Sequence, residues 1–192
     1  MKLNAVPRIL LVAAICAVAL IGLVLGEGAA RRGGQEILLP MEAVDPRSLL
    51  SGHYVQLGLS QRLTAPATCP AAGDYEWVAL REEGGRFIAV GGAASREEAQ
   101  LLGLPVKGTF TCSPPTPTTT ESEAFPGWLT LHLGVERFHI NQADALRIER
   151  VLRAQNADEA TRAFAIVSVG RDGRARLKGL MIDGERLELS WL

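Results

Sequence analysis

The chain has 192 residues, with 20 basic and 21 acidic side chains, 47% apolar and 5% aromatic content, 20 glycines and three cysteines. That is the size of one domain plus a terminal segment, too apolar for intrinsic disorder, and its ten prolines follow no Gly-X-Y period. A net charge of −1 provides no basic footprint, so nucleic acid is not an expected partner.

Ile9 to Leu25 is an unbroken run of seventeen uncharged residues, preceded by Lys2 and Arg8 and followed by Glu27 as the first later charge. As a helix it reaches about 25 Å, against a hydrocarbon core of about 30 Å, and it reads as a single transmembrane helix. Residues 1–26 then form a short cytoplasmic N-terminus and an anchor. The competing reading is a cleaved secretory signal ending at Gly28-Ala29-Ala30. Against it, the apolar run is long for a signal and Arg31-Arg32 would directly follow the cut. Lys2 and Arg8 beside the terminal amine predict an N-terminus in the cytoplasm and an exported body. Cys16 lies inside the apolar run as a lipid-facing residue, with Ile15 too large for lipoprotein processing.

Residues 27–42 contain Gly and Arg without periodicity and are expected to be a tether, with the exported domain over residues 43–192. Without Lys2 and Arg8, this exported part holds 18 basic against 21 acidic residues, a net −3 that gives no reason to expect adhesion to anionic lipid.

From His53 the apolar period is two, with Val55, Leu57 and Leu59 on one face of a predicted strand. Asp74 to Leu80 and Arg86 to Val90 flank Glu82-Glu83-Gly84-Gly85, a hairpin with a Gly-rich turn. Ser95 and Glu98 have capping-box spacing and start a short helix to about Leu102. Val106 to Thr111 and Trp128 to Leu133 alternate as strands, separated by an exposed Pro/Thr loop at 113–127. A strand through Phe138 and Ile140 precedes a helix capped by Asn141, with Leu146, Ile148, Val151 and Leu152 on one side. Phe164–Val169, Arg174–Ile182 and Arg186–Trp191 form a three-stranded meander turned by Asp172-Gly173 and Asp183-Gly184. About nine strands and two short helices predict a mainly β fold of α+β type, an antiparallel sandwich or partly open barrel behind the N-terminal helix.

Cys69 and Cys112 are the cysteines of the exported part, and an oxidising compartment predicts that they form a disulfide. His53, His132 and His139 lack the companion ligands of a metal site, so neither metal nor other cofactor is expected. Glu82-Glu83 and Glu97-Glu98 read as solvated turn and helix-start charges. No catalytic constellation emerges, and the chain is not expected to be an enzyme.

Gly52-His53-Tyr54-Val55-Gln56-Leu57-Gly58-Leu59 resembles the Gly-Asp-Tyr-x-x-Leu-x-Tyr signature of the GDYXXLXY family of bacterial membrane-anchored proteins. His53 stands where the signature has Asp, and Leu59 where it has the final Tyr. The Asp45-Pro46 lead-in, the segment Gly134-x-Glu136-Arg137-Phe138 and the Leu177–Leu180 stretch are also similar. The resemblance implies a single-pass protein of the bacterial inner membrane with a periplasmic domain, accompanying a multi-span membrane protein. It implies no reaction and no cofactor. On this reading Gly52 permits tight entry into the strand and Tyr54 faces away from Val55 and Leu57.

An envelope hydrolase is the alternative. Pro46, Gly52 and Val55 resemble the lead-in of a type I signal peptidase; under that alternative the domain would be a degenerate relative, because Ala43 and Phe87 occupy the nucleophile and general-base positions. A displaced dyad would have to recruit Ser48 or Ser51 with Lys107 or Lys178.

Overall fold

A computed structural model describes residues 5–41, 54–63, 67–71, 73–116, 126–139 and 163–188. Helix α1, Ala5–Gly33, runs 29 residues, about 43 Å, with the large side chains of its apolar run exposed. It has the length and composition of a membrane span, a test that an N-terminal signal sequence also passes.

Residues 27–42 were expected to be a tether, and the structure corrects this. Helix α1 continues to Gly33, and Gln35–Pro40 forms strand β1, which pairs antiparallel with β10, Ala163–Val169. Ile37, Leu39 and Met41 enter the core. Helix and sheet are therefore joined through Gly34 alone. This residue sits so close to Ser168 Oγ and the Val169 carbonyl that any larger side chain would collide with them.

Among the described residues there are four antiparallel sheets, and the inward side chains of three of them meet in one main core. Strand β10 also pairs with β11, Ala175–Ile182, which pairs with β12, Glu185–Glu188, giving the order β1-β10-β11-β12. This is the predicted meander with β1 added at its edge. Asp183, at φ 51°, and Gly184, at φ 81°, supply the two positive angles of the last turn. In β11, Leu177, Leu180 and Ile182 all reach the core although the first two are three residues apart. A bulge reconciles that spacing with a two-residue period: Ile166 pairs with Gly179 and Val167 with Leu177, which leaves Lys178 as the extra residue.

The predicted central hairpin is β4, Trp77–Glu83, with β5, Arg86–Ala93; β6, Leu104–Lys107, completes the sheet β5-β4-β6. The first four residues of β4 are buried on both faces, Val78 and Leu80 in the main core and Trp77 and Ala79 in a smaller cluster with Ala93 and Ala99. Ala99 belongs to helix α2, Arg96–Leu102, which covers the outer face. The predicted cap is present, with Glu98 N donating to Ser95 Oγ at 3.2 Å.

Strand β7, Thr109–Ser113, separates from β6 at Gly108, where a single strand over 106–111 was expected. Gly108 has φ 150°, and its α-carbon lies against the His132 carbonyl, with no room for a β-carbon. The chain turns there into a third sheet, β3-β8-β7, with β3 at Ser60–Leu63 and β8 at Gly127–His132. The Pro/Thr loop is correspondingly narrower than 113–127, since Ser113 and Gly127 are strand residues, and positions 117–125 lie outside the described residues. Strands β2, Tyr54–Gln56, and β9, Arg137–His139, form a two-stranded sheet. The described residues thus hold twelve strands rather than about nine, because the expected strands over 53–60 and 106–111 are each divided and β1 is added. The helix expected from Asn141 lies outside the described residues.

Candidate functional site

The signature segment and the Gly134–Phe138 segment, 75 or more residues apart in sequence, meet in the fold. Tyr54 pairs with His139, Val55 with Phe138 and Gln56 with Arg137. Beyond β2 the ladder continues as isolated bonds: Leu57 N donates to the Glu136 carbonyl at 2.7 Å, and Leu131 N to the Leu59 carbonyl at 2.8 Å. Glu136 Oε1 accepts from Leu133 N at 2.6 Å and Gly134 N at 3.0 Å, closing the turn that carries β8 into β9. Leu57 and Leu59 are 3% and 1% exposed, in the main core with Leu129, Leu131, Leu133 and Val135. Their role is packing. Gly52 and His53 lie outside the described residues, as do Ser48 and Ser51.

The Leu177–Leu180 stretch contains the β11 bulge. Lys178 Nζ lies 2.6 Å from Glu36 Oε2, and Arg186 forks onto the same carboxylate at 2.6 and 3.1 Å while donating from Nε to Glu188 at 2.9 Å. Hydrogen bonds from Arg186 and then Lys178 outweigh desolvation and lower the Glu36 pKa to about 2, and the same contact raises that of Arg186. Lys107 Nζ lies 5.4 Å from the Trp77 ring centroid. Both lysines named for a displaced dyad are thus engaged elsewhere.

Cys69 and Cys112 form the expected disulfide, which packs against the main core and closes a separation of 43 residues. Among the described residues, no group of three or more His, Cys, Asp and Glu side chains converges. His132 Nε2 is 3.3 Å from Thr111 Oγ1 across the β7–β8 pair.

The arrangement that sequence reasoning missed lies where α1 meets the domain. Arg176, 9% exposed, donates from Nε to Glu27 Oε1 at 2.8 Å and from its two terminal nitrogens to Asp172 Oδ1 and Oδ2 at 3.2 and 3.0 Å. The Arg176 hydrogen bonds hold the Asp172 carboxyl at about 2 and raise the Arg176 pKa. One guanidinium thereby binds the helix to the β10–β11 turn. That turn is closed by Gly173 N donating to Gly170 O at 2.9 Å, and it reaches β6 through Lys107 N donating to Gly173 O at 2.8 Å. Beside the joint opens a cleft of about 420 Å³ whose lining includes Gly33, Gly34, Arg96, Gly103, Gly170 and Arg171. No sequence signal marks these partners, because Glu27 and Arg176 are 149 residues apart.

No curated protein and no solved structure matches the chain. The sequence description of the family "GDYXXLXY protein" matches residues 16–180, from within α1 to the Leu177–Leu180 stretch, and the chain belongs to that family.

Proposed function

We propose that the protein is a single-pass anchored protein of the bacterial inner membrane. Its β domain stands on the periplasmic side as a non-catalytic accessory or binding module for another membrane protein. The observation that carries this reading is the Glu27–Arg176–Asp172 lock. A domain whose helix continues unbroken to Gly33, and is clamped by a buried arginine, is held at a set height and orientation. That suits presentation of a surface to a neighbour in the same membrane. The lock also supports retention of the helix, because Glu27 lies on the N-terminal side of the Gly28-Ala29-Ala30 site and would leave with a cleaved signal. The disulfide supports an oxidising compartment.

The partner is tested by photo-crosslinking in native membranes from position 101, where Leu101 is 88% exposed on α2. A discrete adduct with one integral membrane protein is expected. Crosslinks to lipid alone, from this and from exposed strand positions, would contradict an accessory role.

A further inference from the structure

The anchor reading fixes where lipid headgroups lie relative to the domain, and the inference here rests on it. Glu27 stands two residues past Leu25, about 3 Å further along the helix axis. Arg176 holds the β10–β11 turn against Glu27, so this turn lies where the helix leaves the hydrocarbon. Gly33 is about 12 Å past Leu25, about 4–7 Å outside a headgroup layer roughly 5–8 Å deep, a gap that long arginine side chains bridge.

The cleft of about 420 Å³ opens at this level. Arg96 and Arg171 line it, and no carboxylate does. Arg174 is exposed in the same turn. The Arg96 guanidinium and the Lys107 ammonium both approach the Trp77 ring, at 6.0 and 5.4 Å, placing an aromatic and two cations at the joint. Glu27 and Asp172 are bound by Arg176, and Glu98 accepts from Ala94 N at 3.2 Å in the exposed first turn of α2, where Glu97 also lies. Although the exported part is net −3, the lining of the cleft carries two arginines and no carboxylate.

We propose that this cleft binds the phosphate of an anionic phospholipid headgroup in the leaflet from which the domain emerges, with Arg96 and Arg171 as its guanidinium donors. Planar guanidinium groups form paired, charge-assisted hydrogen bonds to phosphate, and each cation near an anionic leaflet adds attraction. The bound lipid ties the domain to the bilayer at a second point beside α1.

The test uses the full chain in lipid nanodiscs of phosphatidylcholine alone or mixed with phosphatidylglycerol. Co-elution of the chain with the discs is scored first, and failure to incorporate overturns the anchor reading and this proposal with it. With incorporation established, the domain should unfold about 3 °C higher in the phosphatidylglycerol discs. The shift should vanish in R96Q/R171Q, shrink in R171Q, whose side chain lies on an exposed turn, and persist in R62Q/R86Q, which removes equal charge outside the cleft. It should also collapse near 1 M salt, where the screening length is about 3 Å. Incorporation without a lipid-dependent shift, or an equal shift in R96Q/R171Q, overturns the cleft assignment and leaves the anchor standing. An equal rise on adding soluble glycerol phosphate to phosphatidylcholine discs would assign the site to a free anion and overturn the lipid assignment.

Discussion

Leu59 shows how a signature position functions as packing. Its side chain is 1% exposed, and its carbonyl receives the Leu131 amide. Leu59→Ala should therefore cost about 2–5 kcal/mol in denaturant unfolding, the range for a leucine removed from a filled core. Ser168 makes the opposite case. Its hydroxyl is buried against Gly34 without a hydrogen-bond partner among the described residues, so Ser168→Ala should be neutral or stabilising by up to about 1 kcal/mol in the same measurement. Leu57 and Leu59 were legible in the sequence because a two-residue period reports burial directly. Ser168 was not, since its alternation reads as an ordinary strand residue and its surroundings come from the end of a helix more than 130 residues earlier.

At the scale of elements, local chemistry was readable and remote pairing was not. The Asp183-Gly184 turn, the Ser95 cap and the β4–β5 hairpin depend on residues within a few positions of each other, and all three form as expected. Strand β1 went unread because Leu38 and Pro40 place apolar residues on both faces and hide the alternation of Ile37, Leu39 and Met41. Proline is tolerated there because β1 is an edge strand. The ion pairs of Glu36 and Asp172 likewise depend on the assembled sheet, and they make stability depend on pH. Their carboxyls titrate near 2 in the folded protein, below ordinary values of 4.5 and 3.8. The unfolded chain thus takes up protons first as pH falls, and the stabilisation present above pH 4.5 is lost on acidification towards pH 2. The melting temperature should fall through this window, and Glu36→Gln should fall less steeply. The disulfide acts between elements: Cys112→Ser should destabilise by about 2–4 kcal/mol, and both thiols should resist alkylation until reduced.

The whole molecule joins an apolar helix to a β domain through a single residue, Gly34. The apolar run with its flanking charges was enough to foresee the helix, two-residue alternation the β-rich body and the Gly52–Leu59 segment the family, and the disulfide followed from the compartment that the helix implies. The short joint was not foreseeable, because Gly, Arg and Glu between a membrane segment and a domain have the composition of a linker. Only the fold shows Arg176 binding Glu27 to Asp172. Protease added to intact spheroplasts, with mass analysis of the fragment retained after alkaline washing of the membranes, tests the anchored, outward-facing arrangement directly. The β domain should be digested while a fragment containing the Ile9 to Leu25 segment stays in the membrane. A soluble mature protein starting near Arg31, or a C-terminus protected from the protease, would contradict it.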